Sequence, residues 1–199
     1  MNVVQRCKVY SLNQFTQPFQ YTCEVNGKPC SRIHAVQETL SDNDKTRVIV
    51  EKVRTHCSGN GLILNISSLP WDLERTYHQS NPSMLEFDSF VQFVSQLCSD
   101  PVTAFSRCQT DSEQTTTKSP LAWILIDNLS HLAMDPKFNA KTLSKLMKTV
   151  QQTFGSVIIS TSLPLSFHGG IESTFKHHST KYQSGDQLVP YFDDSDVIL

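Results

Sequence analysis

The sequence predicts an α/β fold with a mostly parallel sheet flanked by helices. Three observations carry this. Leu121–Ile126 is a short, almost unbroken apolar run that ends in Asp127. Ser156–Thr161 is a second such run, rich in β-branched residues. Between them lies a helix with a readable start and stop: Asn139 can cap its N-terminus and Gly155 can supply the left-handed C-terminal stop. Its residues Ala140, Leu143, Leu146, Met147, Val150 and Phe154 fall on one helical face. Strand, amphipathic helix and strand in this order make a βαβ unit with parallel strands and a right-handed crossover. Runs with so little polar alternation belong to strands covered on both faces.

The other elements arrange themselves around this unit. Val3–Phe15 fits a first strand or edge segment, ended near Pro18, and residues 16–30, with Pro18, Gly27 and Pro29, read as loop. Ile33, Ala35 and Val36 suggest a strand over about 32–37. Glu38–Asp44 is polar and turn-prone. Asp44 can cap a helix to about His56 that turns Ile49, Val50, Val53 and Cys57 inward. Ser58–Gly61 reads as a turn and Leu62–Ile66 as a strand. Residues 67–82, with Pro70 and Pro82, form a longer connection. Ser83-x-x-Glu86 has the capping-box form and opens a helix with Phe87, Phe90, Val91, Val94 and Leu97 on one side. Asp100-Pro101 starts another helix, to about Cys108. Gln109–Ser119 is a Thr-rich polar loop. After Leu163 the regular pattern stops. Leu165–Asp186, with Gly169-Gly170, reads as a long loop, and Asp196–Leu199 as the start of a strand.

At 199 residues the chain fits one domain, 1–199, with a sizeable core. A net charge of −2 gives no overall field toward nucleic acid, so any such binding must come from a local patch or a partner. No apolar run approaches the ~20 residues of a membrane span, and the N-terminus has no apolar signal region, so no membrane role is expected. The six cysteines form no C-x-x-C pair, so zinc and dithiol motifs are absent and no metal or cofactor is expected. They read as free thiols of a reducing cytosol or nucleus, partly core filler.

Ligands of doubly wound sheets bind beyond the carboxyl ends of the strands, here near Gln37, Ser67, Asp127 and Ser162. A nucleotide-binding protein would place G-x-x-x-x-G-K-[ST] after its first core strand. Thr39–Thr46 stands there, and Lys45-Thr46 fits the last two positions. Thr39 and Asp44 replace both glycines and put β-carbons where bare backbone must wrap phosphate. Asp42 and Asp44 add negative charge against a polyanion. The loop is therefore degenerate, lost or never present. Asp127 has the form of a Mg²⁺-holding aspartate at a strand end. Without a phosphate loop, a turn or cap residue is the better reading. Lys137, Lys141, Lys145 and Lys148 flank or line the outer face of the central helix, the usual pattern of a solvated face. Lys176, His177, His178 and Lys181 cluster in one loop with Tyr182; such a loop can contact phosphates and stack a base, or be an ordinary polar loop. There is no nucleophile elbow and no metalloprotease His spacing.

These residues also carry a resemblance. Ile126–Ser130 after an apolar strand, Leu143-Ser144-Lys145 in the helix, Ile158–Pro164 and Gly170–Thr174 resemble the Psy-three subunits of the yeast Shu complex, a family of RecA-like recombinase paralogues. Asp100–Gln109 and Lys8–Phe15 are similar to further stretches of that family. The likeness runs in the same order along most of the chain. It is strongest over 97–175 and thin over 16–60.

The resemblance implies a RecA-like core without a functional ATP site, in a nuclear, non-enzymatic protein. It implies a heterodimer with a RecA-like sibling subunit of the Csm-two type. Two further Shu-complex subunits, one with a SWIM-type zinc motif, would join it, with recombinase paralogues and DNA as further partners. Such complexes promote assembly of the recombinase filament in homologous recombination repair. The DNA-contacting loop of the family matches Lys176–Gly185; Lys181 fits its basic run, while Tyr182 and Gln183 stand where basic residues are expected. Two alternatives stay open: a divergent RecA-like ATPase using Lys45, Thr46 and Asp127, and a scaffold of another RecA-like assembly such as the Elongator subcomplex.

Overall fold

The computed structural model describes residues 19–37, 44–66, 71, 73–110, 119–164 and 184–199. The first expected strand, Val3–Phe15, lies outside them. The chain starts with a hairpin, β1 (Cys23–Val25) and β2 (Lys28–Cys30), where the sequence reading placed loop. The reason is local. Asn26 and Gly27 take φ of 52° and 77°, the left-handed pair that a tight two-residue hairpin requires.

Then follow β3 (Arg32–Val36), α1 (Asp44–His56), β4 (Asn60–Asn65) and β5 (Thr76–Gln79). α2 (Phe87–Ser99), α3 (Pro101–Phe105) and the two-residue β6 (Gln109–Thr110) come next. The central unit is β7 (Leu121–Asp127), a short α4 (Leu129–Leu132), α5 (Ala140–Phe154) and β8 (Val157–Ser162). α6 (Ser184–Phe192) and β9 (Val197–Ile198) close the described chain. The sheet has seven strands in the order β6-β5-β4-β7-β8-β3-β9. All its pairings are parallel except β5 with β6. This is an α/β, mostly parallel architecture of the RecA-like kind.

Alternation along the strands builds two cores. Leu62, Leu64, Ile124, Ile126 and Ile158 face α2, α4, α5 and α6. Ile63, Trp123, Leu125, Val157, Ile159, Ile33 and Ala35 face α1 and the hairpin. α5 matches its expected signals: the Asn139 side chain accepts from Thr142 N at 3.0 Å, and Gly155 ends the helix at φ 69°.

Several sequence expectations are corrected. Ser83 does not open α2. It lies in a 3-10 turn, Pro82–Leu85, capped by Asn81, and α2 starts at Phe87. Glu86 makes no side-chain cap; Asp135, far along the chain, accepts from Phe87 N at 2.6 Å instead. The connection 67–82 contains β5, and its polar sequence Thr-Tyr-His-Gln is buried by pairing with β4. The turn expected at Ser58–Gly61 gives way to β4, which begins at Asn60 because Gly61 lets the strand pass against the Trp123 ring. Gln109–Thr110 of the expected loop pair with β5, and α3 ends at Phe105, short of Cys108. Within Leu165–Asp186, residues 165–183 lie outside the described residues. From Ser184 the chain is helical, because Leu188 and Tyr191 have a core to enter.

The five described cysteines are free thiols, and Cys23, Cys30 and Cys57 are buried. Burial pushes the Cys57 thiol up to about 11 and Cys108 up to about 12, which suppresses thiolate chemistry at both. No described helix is long and apolar enough to cross a membrane.

Candidate functional site

β3, β4, β7 and β8 are parallel, so their carboxyl ends share one edge. Register aligns Asn65 with Asp127 and Val36 with Ser162. Asp127 is the last residue of β7 and is fully buried, so it is neither a turn nor a helix cap. Its neighbour Asn128 is the cap: at φ 71° it accepts from Ser130 N at 3.2 Å and starts α4.

The Asp127 carboxylate is engaged within the chain. Trp71 Nε1 donates to Oδ2 at 3.0 Å, and Thr161 Oγ1 donates to Oδ1 at 3.1 Å. The same Thr161 hydroxyl accepts from Asn128 N at 2.8 Å. Trp71 is itself only 6% exposed, and the Arg47 guanidinium lies 5.4 Å from its ring centroid. A Mg²⁺-binding aspartate has to present free oxygen lone pairs to the ion or its waters. Here both oxygens accept hydrogen bonds from the protein.

Thr46 tells a similar story. It is fully buried in the first turn of α1, and its hydroxyl accepts from Gln37 Nε2 at 3.2 Å. Gln37 is buried just past β3, its backbone N–H donating to Ser162 O at 2.8 Å. Lys45 is exposed to solvent. The two phosphate-loop residues thus point into different environments, and the hydroxyl that would meet Mg²⁺ is used inside the fold. Among the described residues no three His, Cys, Asp or Glu side chains gather as a metal site.

The proposed DNA contacts, Lys176, His177, His178, Lys181 and Tyr182, lie outside the described residues. What is described is how the chain leaves and returns. β8 delivers it at Ser162 on the carboxyl edge, where Leu163 N donates to Ser130 Oγ at 2.9 Å. α6 receives it and packs on α4 and α5. Under α6 the sheet carries polar residues in place of aliphatic ones. His34 is fully buried, with Ser160 Oγ 2.9 Å from Nδ1 and Ser162 Oγ 2.9 Å from Nε2. Tyr191 of α6 donates to Ser160 Oγ at 3.3 Å, and the Phe192 ring lies 4.5 Å from the His34 ring. Burial lowers the His34 pKa to about 4, so the ring is neutral at physiological pH.

Just beyond α6, Asp194 ties three elements together. It accepts from Lys148 Nζ at 2.8 Å and from the Ser144 hydroxyl, and lies 3.7 Å from the Arg32 guanidinium. Arg32 also lies against the Tyr191 ring, at 5.4 Å. Of the lysines near α5, Lys148 is taken by Asp194 and Lys137 by Asp88, while Lys141 and Lys145 face solvent. Sequence reasoning missed His34, Trp71 and Asp194. His34 and Trp71 carry a signal, a lone polar group beside apolar residues, but their partners come from other elements.

A family model described as the Shu complex component Psy3, DNA-binding, matches residues 7–199. The chain is similar to Platinum sensitivity protein 3 of Saccharomyces cerevisiae, 25% identical over 213 residues that cover 96% of this chain and 86% of the yeast protein. A match that takes in β3 through β9, including the Asp127 edge, places this chain in the Psy3 family of Shu complex components.

Proposed function

We propose that this chain is a non-catalytic subunit of a Shu-type recombination-mediator complex. It binds DNA together with a RecA-like sibling subunit and promotes assembly of the recombinase filament in homologous recombination repair. Its place of action is the nucleus, and its partners include two further subunits, one a SWIM-type zinc protein. The family membership supports the complex, and the DNA-binding description of the family supports the DNA contact.

The observation that carries the non-catalytic reading is the internal pairing of Asp127 with Trp71 and Thr161, beside that of Thr46 with Gln37. In an ATPase these two side chains would turn to Mg²⁺, whereas here each takes its hydrogen bonds from the fold. Lys45, Thr46 and Asp127 are thus structural or surface residues in this reading, and ATP turnover is not part of the function. The two cores share the strands of one sheet, which supports a single RecA-like domain over 1–199.

DNA contact is assigned to Lys176, His177, His178, Lys181 and Tyr182, in the segment between β8 and α6. Co-expression tests the assembly: the chain should co-purify with a RecA-like sibling and melt at a higher temperature in its company. A monomer whose melting temperature the sibling leaves unmoved would sink the heterodimer. Fluorescence anisotropy of the heterodimer with DNA tests the segment.

A further inference from the structure

Toward the β6-β5 edge of the sheet, opposite the β3-β9 edge, a cleft of about 560 Å³ opens between α2 and the ends of β5 and β6. Its size falls within the ~300–1,000 Å³ of ligand clefts, and it lies at the carboxyl end of a parallel strand, where such sheets take ligands. Its lining is unusual in chemistry. Five side-chain amides converge on it: Gln79, Asn81, Gln92, Gln96 and Gln109. Three serine hydroxyls join them, and the one fixed charge is Arg107. Arg107 is oriented by a hydrogen bond from Nη1 to Gln96 Oε1 at 2.8 Å. Among the described residues no carboxylate lines the cleft. The acids beside it are Glu86, which accepts from the Ser89 hydroxyl at 3.3 Å, and Asp100, held below the usual carboxylate range by hydrogen bonds from Thr103 and, less, by Arg107.

This lining excludes some ligands. A duplex needs several cations along a track, and here there is one. An unpaired base needs an exposed aromatic platform, and the two rings among the described lining residues, Phe93 and His78, are only 6% and 9% exposed. A primary amide presents one donor face and one acceptor face, the same pair a main-chain peptide group offers. Ser89, Gln92 and Gln96 stand on one face of α2 over eight residues, about 10 Å of helix, which matches about three residues of extended chain. A guanidinium beside them selects a carboxylate.

We propose that this cleft binds an extended, acid-bearing peptide segment of a partner protein, its main chain held by the amides of α2, β5 and β6 and its carboxylate by Arg107. The inference goes beyond the DNA-binding reading and does not rest on it, since no residue of the 165–183 segment takes part.

The test uses the full chain and two fluorescent hexapeptide arrays, one with a central Asp or Glu, the other with Asn or Gln in its place. The acidic array should yield binders that its amide counterpart lacks. Arg107→Ala should weaken those binders at least tenfold, as loss of a charge-assisted pair does, and should flatten their salt dependence. Gln92→Ala should weaken them several-fold with the salt dependence kept. Gln92 and Arg107 are exposed, so both variants should melt as the parent does. No binders, equal binding by both arrays, indifference to Arg107→Ala, or displacement by adenosine monophosphate would each overturn the proposal.

Discussion

The Trp71 indole donates its N–H to the Asp127 carboxylate at 3.0 Å, joining a residue past β4 to the end of β7. Both partners are buried, so the bond lies inside the carboxyl edge of the sheet. Thr161 donates to the same carboxylate from β8.

Removing that donor should cost stability. Trp71→Phe keeps most of the ring but leaves a buried carboxylate oxygen without this partner, at a cost of about 1.5–3 kcal/mol. Urea denaturation of the full chain measures it. A change below about 0.5 kcal/mol, the range of a neutral surface substitution, would show that Trp71 does not hold Asp127.

Titration with Mg²⁺-ATP should show no binding in the micromolar range. Lys45 faces solvent, Thr46 is paired with Gln37, and Asp127 is enclosed. Calorimetry checks this; micromolar binding abolished by Lys45→Ala would restore the ATPase reading.

His34 should make stability pH-dependent. Its folded pKa, lowered by burial to about 4, lies below the ~6.5 of the unfolded chain. Between these values the unfolded chain takes up a proton that the folded one refuses. The contribution is therefore full above pH ~6.5 and is lost as pH falls toward 4, on the order of 3 kcal/mol in all. Denaturation curves at several pH values should show this slope in the parent and a shallower one in His34→Asn. Equal slopes would mean that His34 is not the titrating group.

Replacing Lys176 and Lys181 by Ala in the proposed heterodimer should weaken DNA binding with little sequence dependence. Each phosphate contact adds ~0.9 to the salt slope on duplex DNA and ~0.7 on single strands, so the slope should flatten by about one to two units. His177 and His178 should strengthen binding modestly below pH ~6.5 if they share the contact. Anisotropy across a salt series reads both. Unchanged affinity and slope would leave the sibling subunit as the carrier of DNA binding.

The central unit was legible because every signal for it is local. Asn139, Gly155 and the spacing of Leu143, Met147 and Val150 lie within one helix, and β7 and β8 are apolar enough to declare burial on both faces. The absence of both phosphate-loop glycines over Thr39–Thr46 is likewise local, a fact about eight consecutive residues. The Asn26-Gly27 hairpin was equally local; its signal was present and went unread among the prolines.

What only the tertiary structure decided depends on partners far away in sequence. β5 is a strand because β4 pairs with it, although Thr-Tyr-His-Gln has no apolar pattern of its own. α2 begins at Phe87 because Asp135 supplies the cap that Ser83 and Glu86 do not. Asp127 is paired inside the fold because Trp71, from the connection after β4, and Thr161, in β8, reach it. Propensity and capping act over a few residues and can be read from them. A buried polar group is settled by whichever donor the fold brings within hydrogen-bond reach, and that is a property of the packed chain alone.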